Sequence, residues 1–89
     1  MKHFDIKVYG RVQGVSFRYY TNEKARHLGI KGFVKNQADG SVYIEAEGNE
    51  QQMGHFLDWC HEGPASAHVK NVEVRESELQ NYRNFELRY

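Results

Sequence analysis

The sequence is poor in cysteine and proline and has no excess of either charge. Cys60 is the only cysteine in 89 residues and Pro64 the only proline. No intrachain disulfide can therefore form, and no proline-rich linker divides the chain. Twelve Lys and Arg residues balance twelve Asp and Glu residues, so the overall positive charge of a general nucleic-acid binder is missing. We expect one small domain over residues 1–89, with no nucleic-acid partner.

The chain also lacks a long hydrophobic run. Nothing near Met1 resembles the apolar core of a signal peptide or a membrane span. Together with the single cysteine, this absence predicts a cytoplasmic protein that does not enter a membrane. The helical patterns leave no surplus apolar face, which favours a monomer.

Hydrophobic periodicity predicts two helices. The first stripe runs from Phe17 through Tyr20 to Leu28 and stops at Gly29, a residue suited to the left-handed cap that ends a helix, with Ser16 in the N-cap position. The second helix begins after a capping box at residues 49–52 and stops at Gly63-Pro64. Each helix therefore has one face suited to a core.

Period-two alternation predicts the strands. The first strand covers residues 4–9. The second and third cover residues 30–36 and 41–47, and the Asp39-Gly40 turn joins them into a hairpin. A fourth lies around Val72 and Val74, and a short terminal strand runs from Phe85 to Tyr89. The order is β-α-β-β-α-β with a small β addition. It predicts an α+β, ferredoxin-like two-layer sandwich, in which one antiparallel sheet carries both helices on one face.

This topology brings two distant segments together. In the predicted fold the third strand inserts between the first and second, so the first two strands run parallel and end at the same sheet edge. The loop after Gly10 and the side chain of Asn36 should therefore face one crevice, at the carboxyl ends of their strands.

Residues Gly10 to Arg18 join the first strand to the first helix and predict an anion site. Arg18 lies in the first turn of the helix, where the helix dipole disfavours a cation by about 0.3–1 kcal/mol. A bound anion between the two positive charges removes that conflict. Main-chain N–H groups of a glycine-bearing loop and a guanidinium are both suited to phosphate oxygens.

Two motifs carry a resemblance to a known family. Residues 10–18 match Gly-x-Val-Gln-Gly-Val-x-Phe-Arg, and a second signature is met by residues 32–36, by Asp39 to Val42 and by Gly48. Over essentially its whole length the chain resembles an acylphosphatase. The resemblance implies hydrolysis of the carboxyl–phosphate bond of small acyl phosphates to a carboxylate and inorganic phosphate, with no metal and no other cofactor. Inorganic phosphate is then the product and an expected competitive inhibitor.

The resemblance also implies the site residues. Arg18 would hold the phosphoryl group and Asn36 would orient the attacking water, which makes these two the catalytic residues. Arg18 would share the phosphate with main-chain N–H groups of Arg11, Val12, Gln13, Gly14, Val15 and Ser16. The side chain of Arg11 either adds to the field at the site or points into solvent. Gln37 follows Asn36 where many members have threonine, for which we expect a changed rate and not a loss of function.

Two other functions use the same architecture. RNA-recognition domains share it, and Lys31-Gly32-Phe33 resembles the start of one of their motifs, but on the wrong strand and with Glu45 and Glu47 on the neighbouring strand. A non-catalytic regulatory domain that binds acyl or carbamoyl phosphate is the other alternative. No pair of histidines has the i,i+4 spacing of a helical metal site, so we expect the histidines on the surface. Cys60 is interpreted as a core residue.

Overall fold

A computed structural model describes residues 1–89 as five strands and two helices. The elements are β1 (Lys2–Arg11), α1 (Phe17–Leu28), β2 (Lys31–Asn36), β3 (Val42–Gly48), α2 (Glu50–Glu62), β4 (His68–Ser77) and β5 (Phe85–Leu87). The strands form one sheet in the order β4-β1-β3-β2-β5. The predicted ferredoxin-like fold is confirmed. Neither helix is long and apolar enough to cross a membrane.

The strand pairing places the ends of β1 and β2 at the same edge of the sheet, as predicted. β3 lies between them and is antiparallel to both, so β1 and β2 run parallel and end at one edge. β5 differs from the expected antiparallel sheet, because it pairs parallel with β2. The chain reaches β5 through residues 78–84, which cross the open face of the sheet before joining its edge. The sheet is therefore mixed at that edge alone.

The core lies between the helices and one face of the sheet. Alternate residues of β1 and β3 contribute Ile6, Val8 and Ile44, and these pack in one cluster with Phe17 of α1 and Phe56 of α2. Burial of each large apolar side chain contributes about 1.5–3 kcal/mol. Cys60 is fully buried in the same cluster, as expected, and burial raises the pKa of its thiol.

The helix ends follow the predicted signals, with one difference. Gly29 adopts the left-handed conformation after α1, and Asn49 and Gln52 form the capping box of α2 with two reciprocal 2.8 Å hydrogen bonds. Ser16 occupies the N-cap position of α1, but its side chain caps nothing. Its φ of 62° is left-handed, whereas a capping serine adopts extended angles. Tyr20, predicted on the apolar stripe, is 46% exposed.

The histidine prediction was wrong for His3. Its side chain lies on the sheet face opposite the helices and is 1% exposed, because residues 78–84 cover that end of the sheet. The Nδ1 atom of His3 lies 2.7 Å from Glu47, and Nε2 lies 2.9 Å from Asp5. His3, Asp5 and Glu45 bring possible metal-ligand atoms within 4.8 Å of one another. Spacing within one helix could not reveal this grouping, because its members lie on two strands.

Residues 78–84 also cover the aromatic side chains on this face of the sheet. Phe33, the aromatic residue of the RNA-like tripeptide, is only 5% exposed and packs against Tyr43, Tyr82 and the guanidinium of Arg88. Its ring is therefore not free to stack on a base, which is how RNA-recognition domains use this face.

Charge compensation holds the buried cluster together. Burial opposes a charge on His3, but its hydrogen bonds to Glu47 and Asp5 and the nearby carboxylates outweigh burial and raise its pKa above 6.5. Burial opposes ionisation of Glu47, yet the N–H groups of Gln80 and Tyr82 and the ring of His3 keep its pKa below 4.5. A protonated His3 between ionised carboxylates is thus the stable arrangement.

This arrangement predicts a pH window for stability. The contribution of His3 is complete below pH 6.5 and is lost as pH rises through its raised pKa, whereas that of Glu47 is present above pH 4.5 and is lost as pH falls through its lowered pKa. The free energy of unfolding, measured by urea denaturation across this range, should therefore decline on both sides of the window. His3→Gln should abolish the alkaline decline, and His55→Gln, a change at an exposed helical histidine, should leave it. An alkaline decline that persists in His3→Gln would contradict the assignment.

Candidate functional site

β1 contains a β-bulge near its end, just before the chain enters the loop. The β1–β4 register shifts between Tyr9 and Gly10, and Gly10 has a φ of 130°. A Cβ at this position would collide with the carbonyl oxygen of His68, so glycine is required there. Beyond Arg11 the chain leaves the sheet and turns toward the start of α1. The first glycine of the motif thus sets the direction of the loop.

The loop presents main-chain donors that the protein does not use. None of the N–H groups from Val12 to Ser16 donates a hydrogen bond to a main-chain carbonyl. Gly14 and Ser16 both have positive φ, at 73° and 62°. Alternation of left-handed with other conformations lets successive N–H groups converge into a concave anion site. Free N–H donors at a helix start can bind an anion, because the helix dipole favours negative charge there.

A cleft of about 420 Å³ lies where the loop, α1 and the end of β2 meet. Arg18 and Asn36 both line it, as the sequence predicted. From the loop, Val12, Gly14 and Ser16 contribute to the same wall, and Phe17, Tyr19, Leu87 and Tyr89 complete the lining. Arg11, Gln13 and Val15, predicted beside the phosphate, do not line the cleft, and the side chain of Arg11 is exposed at the end of β1.

Arg18 reaches the cleft without an acidic partner. The first turn of α1 contains no Asp or Glu. The Nη1 atom of Arg18 donates a 2.9 Å hydrogen bond to the carbonyl oxygen of Arg88, and the guanidinium carbon lies 4.8 Å from the ring centroid of Tyr89. These neutral contacts orient the guanidinium while leaving its charge uncompensated. The electrostatic conflict inferred from the sequence therefore persists in the folded protein.

Asn36 enters the cleft from the last position of β2. It pairs with Val42 across the hairpin and shares the helix-facing side of the strand with Val34. Its side chain is half-buried and forms no hydrogen bond with any other group of the protein. The amide oxygen can accept a hydrogen bond and the amide nitrogen can donate two. The cleft thus joins a cationic fork, several N–H dipoles and one neutral amide.

Two side chains brace the loop from outside the cleft. The Nε2 atom of Gln13 donates to the carbonyl oxygens of Gln37 at 2.7 Å and Ser41 at 2.8 Å. On the other side, the hydroxyl of Ser66 donates to the carbonyl oxygen of Val15 at 2.8 Å. Neither Ser66 nor the wall formed by Leu87 could be predicted from the sequence, because neither residue belongs to the motifs. Both reach the loop only through the tertiary fold.

A larger groove of about 580 Å³ lies elsewhere, between α1, α2 and the segment after α2. Tyr20, Trp59 and Pro64 contribute its apolar lining, together with Glu23 and Lys24. Its lining contains no arginine. Its size exceeds that of the cleft at Arg18, but the groups that bind anions are concentrated in the smaller cleft.

Comparison with known proteins shows which family the chain resembles. A sequence profile of the acylphosphatase family matches residues 4–87. An acylphosphatase from Archaeoglobus fulgidus is 52% identical over 85 residues, which cover 96% of each protein. The crystal structure of acylphosphatase from Bacillus subtilis superposes with a TM-score of 0.97 at 38% identity and full coverage of both chains. Full-length HypF, solved in a phosphate- and nucleotide-bound form, gives a TM-score of 0.92 at 31% identity, with 99% of this chain matching 12% of that one.

The resemblance inferred from the two motifs is thereby confirmed. The profile match extends over both motifs and both helices, and the match to the relative from Archaeoglobus fulgidus covers 96% of its length. Loop, arginine and asparagine thus lie in a fold shared with solved acylphosphatases. The chain belongs to the acylphosphatase family.

Proposed function

We propose that the cleft at Arg18 and Asn36 is the active site, and that it hydrolyses small acyl phosphates without a metal or other cofactor. The observation that carries this proposal is the set of free N–H groups of Val12, Gly14 and Ser16, which line the cleft beside a guanidinium that has no acidic partner. A dianionic phosphoryl group satisfies both at once. The larger groove at Tyr20 and Trp59 has no arginine in its lining.

In the proposed complex, the loop and Arg18 bind the phosphoryl oxygens. Phosphoryl transfer requires mainly alignment and stabilisation of charge on the three equatorial oxygens, which fixed N–H dipoles and one guanidinium can supply. Because the loop is braced by Gln13 and Ser66, these dipoles need little reorganisation when the substrate arrives. The helix dipole of α1 adds to the same positive field.

Asn36 is proposed to hold the attacking water. A neutral amide is too weak a base to remove the proton of water, but its oxygen can accept one hydrogen bond and so direct the water toward phosphorus. Asn36 also adds no negative charge that would repel the phosphoryl group. The proton can pass to a phosphate oxygen of the substrate, so a separate general base is not required.

The leaving group explains why so few side chains suffice. Carboxylates have pKa values of about 4, so the departing carboxylate needs no proton at neutral pH. An acceleration of about a million-fold corresponds to roughly 8 kcal/mol, which alignment and preorganised electrostatics can provide together. The acyl group would lie toward Tyr19, Leu87 and Tyr89, the apolar side of the cleft. We also infer that residues 1–89 work as one monomeric domain in the reducing cytoplasm, in keeping with the single buried thiol of Cys60.

Turnover of benzoyl phosphate tests the proposal directly. We expect hydrolysis that continues at an unchanged rate with excess chelator, and that inorganic phosphate inhibits competitively. The assay is the loss of benzoyl phosphate absorbance, with phosphate varied at several substrate concentrations. Phosphate binding without turnover would instead identify a regulatory domain, and a rate that vanishes with chelator would refute the metal-free mechanism.

Arg18→Ala should lower kcat/KM by at least about a hundredfold, because the phosphoryl group loses its only guanidinium partner. Arg18→Lys should recover little, since an ammonium cannot form the paired hydrogen bonds of the guanidinium fork. Unfolding free energy should change by less than about 1 kcal/mol, because the change also removes a cation from the start of α1. Arg83→Ala, at an exposed arginine outside the cleft, is the matched control. A folded Arg18→Ala enzyme with a near-normal rate would exclude this role.

Asn36→Ala should lower kcat by about a hundredfold and leave the inhibition constant for phosphate nearly unchanged, because Asn36 directs water and does not hold the phosphoryl group. Asn71→Ala, at an exposed position of β4, provides the control. Steady-state kinetics with phosphate as inhibitor separate the two constants. If the variant weakens phosphate binding and keeps kcat, Asn36 belongs to the phosphate site and the water-holding role is wrong.

A further inference from the structure

The side chain of Gln13 does not line the cleft and is directed toward the β2–β3 turn. Its Nε2 atom donates both of its hydrogens, one to the carbonyl oxygen of Gln37 at 2.7 Å and one to that of Ser41 at 2.8 Å. The predicted role of Gln13 was confined to its main-chain N–H. The side chain adds a link between two segments that are 24 or more residues apart in sequence.

The two carbonyl groups that Gln13 contacts close the hairpin. The N–H of Gln37 donates to the carbonyl oxygen of Ser41 at 2.9 Å, and the N–H of Gly40 donates to the carbonyl oxygen of Gln37 at 3.1 Å. Each carbonyl therefore accepts one hydrogen bond from the turn itself and a second from Gln13. A carbonyl oxygen has two lone pairs, so this pattern satisfies both groups fully.

The turn is rigid on its other side as well. Asp39 accepts hydrogen bonds from the hydroxyl and the N–H of Ser41, and it forms a 3.1 Å ion pair with Lys7 of β1. The hydroxyl and N–H of Ser41, followed by Lys7, lower the pKa of Asp39 to about 2, so this carboxylate stays ionised at neutral pH. The position of the turn relative to β1 is thus fixed by Asp39, and its position relative to the loop by Gln13.

We propose that Gln13 is a positioning residue that sets the place of Asn36 relative to the phosphate-binding loop. Asn36 immediately precedes Gln37, whose carbonyl oxygen receives the amide of Gln13. The N–H groups of the loop hold the phosphoryl group. Through the side chain of Gln13, the same loop also holds the turn that follows Asn36, the residue that directs water. Gln13 thereby fixes the distance between nucleophile and phosphorus. This inference rests on the proposed function and assigns to Gln13 a role in catalysis that requires no contact with substrate.

Gln13→Met tests this role, because methionine keeps the length of the side chain and removes both donors. Misplacement of a reacting group by about 1 Å can reduce a rate by about a hundredfold, and we expect kcat to fall between about tenfold and a hundredfold. The inhibition constant for phosphate should change less than about threefold, since Arg18 and the loop N–H groups remain. Gln51→Met, the same substitution at an exposed position of α2, is the control. A kcat within twofold of wild type would overturn the proposal.

A double-mutant cycle separates positioning from general loosening of the fold. In the Asn36→Ala background Gln13 has no water-holding side chain to position, so adding Gln13→Met should reduce the residual kcat by less than about threefold. An equal loss in both backgrounds would contradict action through Asn36. Inactivity of the wild-type protein toward benzoyl phosphate would instead reject the proposed function itself, so the two failures are distinguishable.

Gln13→Glu gives a second variant with a pH readout. An ionised carboxylate facing two carbonyl oxygens cannot donate, whereas a protonated carboxyl can donate to one of them. The ratio of the kcat of this variant to that of wild type should therefore rise as pH is lowered from 8 to 5. A ratio that is constant with pH would show that donation by this side chain is not what supports the rate.

Discussion

Insertion of β3 between β1 and β2 makes those two strands parallel, and the rest of the site depends on this constraint. Each strand releases its chain at the same edge, β1 into the loop before α1 and β2 into the turn after Asn36. Strand order alone imposes this constraint, so no additional contacts are needed to bring the two chain segments to the same edge. The bulge at Gly10 then turns the loop toward the cleft, and Gln13 connects the loop to the turn. Two segments distant in sequence thus become one rigid edge.

The two faces of the sheet perform different tasks. The helix-facing side carries an apolar core, whose packing holds α1 and therefore Arg18 in place. The opposite side is stabilised by charge, with His3 buried between Asp5 and Glu47 beneath the segment that leads to β5. That segment matters for the cleft because it delivers Leu87 and Tyr89 to its wall. By holding that segment against the sheet, the charged cluster thus helps to place the apolar side of the site.

Local and motif signals predicted much of this from the sequence. The chain order of the predicted strands and helices indicated the ferredoxin-like fold, and the strand order of that fold predicted that Asn36 meets the loop. Other features depended on chain segments without periodicity. Residues 78–84 bury His3, which we expected on the surface, and they bring β5 in parallel to β2. Ser16 was placed correctly at the helix start, yet its left-handed backbone serves the loop and not a side-chain cap. Tertiary contacts override local preference at such positions.

We propose that loop, arginine and asparagine form one phosphate site at the sheet edge. Titration of the ¹⁵N-labelled protein with inorganic phosphate, followed by amide chemical shifts, tests this proposal most directly. We expect saturable shifts in the N–H signals of residues 12–16 and in the Nε signal of Arg18, with a smaller change at the side-chain amide of Asn36, while signals from the His3 cluster stay constant. Saturable shifts confined to the opposite sheet face, or to the groove at Tyr20 and Trp59, with none in the loop would contradict it.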